Sequence, residues 1–110
     1  MDVITTPIPT EGKKIVLKIR GKEIARARIY FITNDLHDQP FALLEDVFVQ
    51  EEFRGKGYGA QIVLAAIAEA KKGHCYKMVG TSRYAREEVH QFYTKLGFQD
   101  YGKEFRMDLE

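Results

Sequence analysis

The segment Arg54-Gly55-Lys56-Gly57-Tyr58-Gly59 interleaves three glycines with two cations, and it stands between an apolar run and a helical pattern. Such a turn suits a phosphate group. Glycine lets the backbone approach an anion closely, and the first N–H groups of the following helix have no intrahelical acceptor. Arg54 and Lys56 add positive charge beside those amides. A glycine that merely starts a helix is the plainer account, but it explains one glycine and not three set among cations.

Two further positions carry chemistry. Glu45 and Asp46 are neighbouring carboxylates in the otherwise apolar run Phe41 to Val49. Adjacent strand residues point to opposite faces, so one of the two is expected to point inward, where a carboxylate is costly unless paired. Tyr93 lies on an apolar helical stripe and by its position alone reads as a core residue. His37 and His74 have no supporting pattern, and His90, one helical turn from Tyr93, reads as a surface residue. Cys75 is the only cysteine, so it forms no internal disulfide and completes no metal cluster. It has no evident base partner and reads as a small strand residue. Arg83, Arg86, Glu87 and Glu88 read as a solvated helix start, with the two arginines able to meet a cofactor phosphate.

Two other phosphate motifs are tested against the same turn. Lys56 is followed by Gly57, not by Ser or Thr, so the P-loop pattern is absent. Gly55, Gly57 and Ala60 match G-x-G-x-x-[GA] literally, but Gln50 to Arg54 separate them from the preceding strand. The acidic residue expected about 20 positions on is replaced by Gly80-Thr81-Ser82. The dinucleotide reading fails on context.

The elements that must position these residues follow from periodicity. Ile15 to Ile19 reads as a strand, Gly21-Lys22 as a turn, and Ile24 to Ile32 as a second strand alternating Arg26, Arg28 and Tyr30 against Ala25, Ala27, Ile29 and Phe31. Asn34 to Pro40 is a polar loop, and Phe41 to Val49 a third strand. Residues 57 to 72 are alanine-rich with apolar positions at helical spacing, ending on Lys71-Lys72 and Gly73. Cys75 to Val79 is a short strand. Arg86 to Leu96 is a helix with Val89, Phe92, Tyr93 and Leu96 on one stripe. Glu104 to Leu109 alternates and is expected to be a terminal strand. The predicted order β-β-β-α-β-α-β is an α/β (α+β) domain, one domain over residues 1 to 110, with residues 1 to 12 as a loose lead-in.

The 110 residues, 45% of them hydrophobic, suffice for one core with little surplus. A net charge of +1 supplies no electrostatic argument for nucleic acid or a membrane surface. The polar N-terminus lacks the pattern of a signal peptide, and a cytoplasmic location is expected.

At this point the residues resemble a known family. Arg54-x-x-Gly57-x-Gly59 is similar to the [QR]-x-x-G-x-[GA] signature of the GNAT superfamily of acyl-CoA-dependent N-acyltransferases. Phe92-Tyr93-Thr94-Lys95-Leu96-Gly97-Phe98 is similar to that family's Y-x-K-L-G-F segment. Within the family, Leu44 to Gly59 and Cys75-Tyr76-Lys77 most resemble glucosamine-6-phosphate N-acetyltransferases, a likeness that does not carry the substrate with it. The resemblance implies a mixed, mostly antiparallel sheet whose central strands splay to admit the pantetheine arm of acetyl-CoA. Backbone at Val47, Phe48 and Val49 would hold that arm, and Arg54, Gly55, Lys56, Gly57, Tyr58 and Gly59 the pyrophosphate. It also implies Tyr93, beside the cofactor, as the acid for the leaving thiolate, and Glu45 as the base for the amine, with Asp46 or water as alternatives. A strand amide near Val47 would meet the oxyanion.

Three positions depart from the family pattern. About 14 residues precede the first strand, so the two helices that usually wall the acceptor site are expected to be missing. The fold is then N-terminally shortened, and the acceptor pocket is open or completed by a second chain, as in a homodimer. Arg86 stands where members often have asparagine. Gly80-Thr81-Ser82 replaces an acidic residue of the aminosugar enzymes. The expected function is acetyl transfer from acetyl-CoA to a primary amine of a small molecule by direct attack in a ternary complex. The alternatives are a non-catalytic acyl-CoA-binding or sensor module and a protein lysine or N-terminal acetyltransferase. No metal is expected.

Overall fold

The computed structural model describes residues 1–82 and 86–110, which fall into two compact units, Met1–Gly80 and Thr81–Glu110. In the first, strands β1 (Thr10–Ile19) and β2 (Lys22–Ile32) form a hairpin. Its two-residue loop, Arg20 and Gly21, has positive φ at both positions (52° and 79°), as a type I′ turn requires. β3 (Phe41–Val49) pairs antiparallel with β2 on its other side. After a single 3-10 turn (Glu51–Phe53), helix α1 (Tyr58–Lys72) crosses over to β4 (Met78–Gly80), which pairs parallel with β3. The sheet order is β1-β2-β3-β4, a mixed and mostly antiparallel sheet, as expected.

Alternation decides which face α1 covers. Ala25, Ala27, Ile29 and Phe31 of β2 and Ala42 and Leu44 of β3 are all buried, as are Ile62, Val63, Ala66 and Ala70 of α1. Burying one Ile, Val or Leu side chain is worth roughly 1.5–3 kcal/mol, so this small core holds the unit together. The alanines let the helix come close. At its C-terminal end a Cβ on Gly73 would stand 2.6 Å from the Phe31 ring. Next, His74 takes a left-handed conformation (φ 59°) and closes a Schellman motif with Cys75 N–H to Ala70 C=O at 3.0 Å.

In the second unit, α2 (Glu87–Lys95) is flanked by Arg86 and Leu96 as its caps.

Three boundaries differ from the sequence reading. β1 begins at Thr10 rather than Ile15, because β2 is long enough to offer ladder partners out to Thr10↔Ile32. Polar residues join a strand when a ladder is available. Cys75 belongs to the turn after α1, and β4 is only three residues long. The expected terminal strand is not formed. Glu104 to Leu109 has no regular structure, and Phe105, Met107 and Leu109 are 80–89% exposed. Alternation makes a segment suited to a ladder, but no described strand pairs with this one. Among the described residues, no helix is long and apolar enough to cross a membrane.

Candidate functional site

The glycine turn is left-handed at two positions and open on one side. Gly55 and Gly57 have φ of 77° and 87°, values that disfavour any side chain, and a Cβ on either would meet no atom within 4 Å. The turn is therefore open above both glycines. Gly57 is the N-cap of α1 and supplies no side-chain cap. The first intrahelical bond runs from Gln61 N–H to Gly57 C=O at 3.2 Å. The N–H groups of Tyr58, Gly59 and Ala60 thus lie ahead of the ladder at the positive end of the helix. Lys56 is exposed, its Nζ 5.7 Å from the Phe53 ring centroid, and Phe53 meets Tyr58 edge to face at 6.2 Å. The Arg54 Nε donates to the Val49 carbonyl at 2.9 Å, tying the turn back to the end of β3.

β3 leaves its outer edge unmatched over the half nearest this turn. β4 pairs only with Ala42, Leu43 and Leu44. Opposite Glu45 to Val49 it supplies no partner. Gln50 N–H bonds Ile24 C=O on β2, so by antiparallel alternation Phe48 also directs its main chain to β2, and Val49 directs its own to the open edge.

A β-bulge interrupts the strand between Glu45 and Phe48. The register runs Arg28↔Glu45 and then Arg26↔Phe48, so Asp46 and Val47 together oppose Ala27. Asp46 occupies the left-handed region at φ 54°. The bulge overturns the expectation that Glu45 and Asp46 face opposite ways. Both are exposed, and both lie with Arg26 and Arg28 on the face away from α1. Neither is the inward carboxylate that strict alternation demands.

Their surroundings then separate them. Asp46 accepts from Arg26 Nε at 2.8 Å (Oδ2) and from a second Arg26 nitrogen at 3.3 Å (Oδ1), and it also accepts from Arg28. The Arg26 hydrogen bond, reinforced by the charges of Arg26, Arg28 and Lys14, holds its carboxyl below the usual carboxylate range despite some desolvation. Asp46 is thereby a poor proton acceptor. Glu45 has no hydrogen-bond or ion-pair partner among the described residues, so both its oxygens are open to solvent or substrate.

Tyr93 is set by the end of α2. Phe98 N–H bonds Tyr93 C=O at 3.0 Å, Gly97 N–H bonds Thr94 C=O at 3.1 Å, and Gly97 has φ 103°. This is a Schellman motif, and its accompanying apolar contact is Tyr93 against Phe98, ring centroids 5.3 Å apart. Tyr93 also meets Phe92 at 5.4 Å. Burial pushes its pKa up, partly offset by Arg86, so the phenol stays protonated at neutral pH. Its hydroxyl has no partner among the described residues.

Cys75 packs against the core and borders a shallow cleft of about 180 Å³ with Ile67, Ala70, Lys71, Lys77 and Met78. Desolvation raises its pKa, which suits packing rather than attack. The cleft contains no residue of the glycine turn. His37 stacks on Tyr76 with centroids 4.0 Å apart, and His74 is exposed, with its main chain in the α1 cap. Arg86 lies 4.0 Å from Glu88 in an exposed pair, and Arg83 falls outside the described residues. The sequence reading missed Arg26 as the partner of Asp46. It also missed the Phe48 ring, which lies under the guanidinium groups of Arg26 (4.5 Å) and Arg54 (5.3 Å). The available signal was the Arg26, Arg28, Tyr30 row on the polar face of β2, opposite an acidic pair.

Residues 7–98 match the profile of the Acetyltransferase (GNAT) family. Glucosamine 6-phosphate N-acetyltransferase of Trypanosoma brucei brucei is 33% identical over 66 residues, which are 60% of this chain and 43% of that protein. The match thus spans less than half of that curated relative. A solved structure from Agrobacterium tumefaciens str. C58, assigned to the acetyltransferases, aligns with a TM-score of 0.84 at 31% identity, covering 88% of this chain and 68% of that one. The glucosamine-6-phosphate N-acetyltransferase of Arabidopsis thaliana aligns with a TM-score of 0.81 at 22% identity, covering 90% and 67%, a likeness of fold.

Proposed function

Since the chain belongs to the acetyltransferase (GNAT) family, we propose that it transfers the acetyl group of acetyl-CoA to a primary amine of a small molecule, by direct attack in a ternary complex. The observation that carries the reading is the run from the open edge of β3 into the Gly55–Gly57 turn. A half-paired strand offers main-chain groups to a strand-like pantetheine arm, and the free amides of Tyr58, Gly59 and Ala60 with Lys56 offer a seat for its pyrophosphate. Space above the two glycines supports the fit.

Acetyl-CoA supplies the activated carbonyl. On this reading the chain's residues supply proton acceptance, anion binding and proton donation. Glu45, unpaired and accessible, takes the proton of the attacking amine directly or through water. Asp46 is the weaker choice, because its oxygens are engaged by two guanidinium groups. The Val47 amide, within the bulge, is the donor for the oxyanion. The family resemblance gives the leaving thiolate its proton from Tyr93, and the raised pKa of that phenol supports the role by keeping it protonated.

Release of free thiol from acetyl-CoA, followed with a panel of small amines, amino sugars and lysine peptides, tests the proposal. Turnover with small primary amines is expected, and Glu45→Gln should lower it by about 100-fold. Acetyl-CoA binding with no thiol release from any amine would replace the enzyme reading by that of a binding module. Turnover confined to peptides would move the acceptor to protein amines.

A further inference from the structure

The bulge in β3 holds Asp46 in the left-handed region at φ 54°, a conformation that persists in a non-glycine residue when its surroundings hold it there. The side chain of Asp46 is the evident device. Arg26 grips both of its oxygens, and Arg28 reaches the same carboxylate. Arg26 also lies over the Phe48 ring at 4.5 Å, and Arg54, whose Nε holds the Val49 carbonyl, lies 5.3 Å from that ring. One chain of contacts therefore runs from the bulge to the glycine turn: Asp46, Arg26, Phe48, Arg54, Val49.

The ladder shows what this chain controls. Ala42 N–H bonds Lys77 C=O on β4, so alternation turns the main chain of Glu45 toward β2, and Phe48 is turned the same way. Two β2-facing residues thus flank the bulge, and Asp46 and Val47 between them are released from regular pairing. If the bulge relaxed to a regular ladder, Val47 would change phase, and every residue from there to the turn would swap edges and faces.

We propose that Arg26 and Asp46 are a positioning pair for the acyl transfer described above, locking the bulge so that the Val47 main chain and the Glu45 carboxylate keep their places. The proposal rests on the enzyme reading. Neither residue touches the reacting atoms in this scheme. Their effect is through the backbone of β3.

The test is a double-mutant cycle with Arg26→Gln, Asp46→Asn and the pair together, read by two measurements on the full chain. Thiol release should show kcat lowered by roughly 10- to 100-fold in each single variant, the KM for acetyl-CoA changed far less, and the double variant no worse than either single. Amide exchange at Glu45 and Phe48, whose main chains face β2 on either side of the bulge, should accelerate several-fold in the free protein, with the core amides of β2 unchanged. Additive losses in kcat, or unchanged exchange at Glu45 and Phe48, would overturn the pair. So would faster exchange with unaltered kcat. A wild-type chain with no thiol release would sink the enzyme reading and the positioning role with it, while the exchange data would still report whether the lock exists.

Discussion

Tyr93 and Phe98 meet ring to ring at 5.3 Å across the Schellman cap that ends α2, with the Phe98 amide bonded to the Tyr93 carbonyl at 3.0 Å. The ring and carbonyl of Tyr93 are therefore structural, and only its hydroxyl is left over for chemistry. Tyr93→Phe keeps the ring contact and removes the hydroxyl. Turnover should fall about 100-fold or more, with the thermal midpoint and the acetyl-CoA KM nearly unchanged. An equal rate in the variant would leave the tyrosine with the cap alone.

Gly57 caps α1 at φ 87° beneath open space. Gly57→Ala meets two separate penalties. A left-handed alanine costs about 1 kcal/mol, a fall of several degrees in midpoint for a domain of this size. Its methyl also projects where a phosphate would sit. Acetyl-CoA affinity, measured by calorimetry well below the midpoint, should fall by more than about 10-fold. Lost stability with unchanged affinity would remove this turn from the donor site.

Gly73 is a packing requirement rather than a conformational one, since its φ is −82°. Gly73→Ala sets a methyl 2.6 Å from the Phe31 ring and must push α1 off the sheet. The expected loss is about 1–3 kcal/mol in urea unfolding. Adding Phe31→Leu should offset part of that loss, because the clash is with the ring. Independent, summing losses in the double variant would show that the contact is not the cause.

Asp46 links stability to acid. Its folded pKa lies below the unfolded value of about 3.9, so its contribution is present above that pH and disappears as pH falls toward the folded value. Unfolding midpoints measured between about pH 6 and pH 2 should decline in the acid range, and Asp46→Asn should flatten that decline while lowering stability near neutrality. The carboxylate is partly exposed, so the effect should shrink in high salt. Identical acid limbs in wild type and variant would mean the pair adds nothing to folding.

The sequence by itself determined the parts whose cause is local. Gly21 marks the hairpin turn, though the loop proves to be Arg20-Gly21 and not Gly21-Lys22, alternating Ala25, Ala27, Ile29 and Phe31 choose the buried face, and Gly57 begins the crossover helix, because turn chemistry and periodicity depend only on near neighbours. The two motifs around Gly57 and Gly97 were legible for the same reason. Each is a helix end, and a helix end is written in a few consecutive residues. The tertiary structure alone decided the rest. Strict alternation set Glu45 and Asp46 on opposite faces, and a single bulged residue put them on one. That bulge exists because Arg26, twenty residues earlier, reaches across the ladder to hold a strained Asp46, a contact that no local pattern encodes. The last segment makes the converse point. Phe105, Met107 and Leu109 have the alternation of a strand, yet a strand needs hydrogen-bonding partners from elsewhere in the fold, and no described strand provides them.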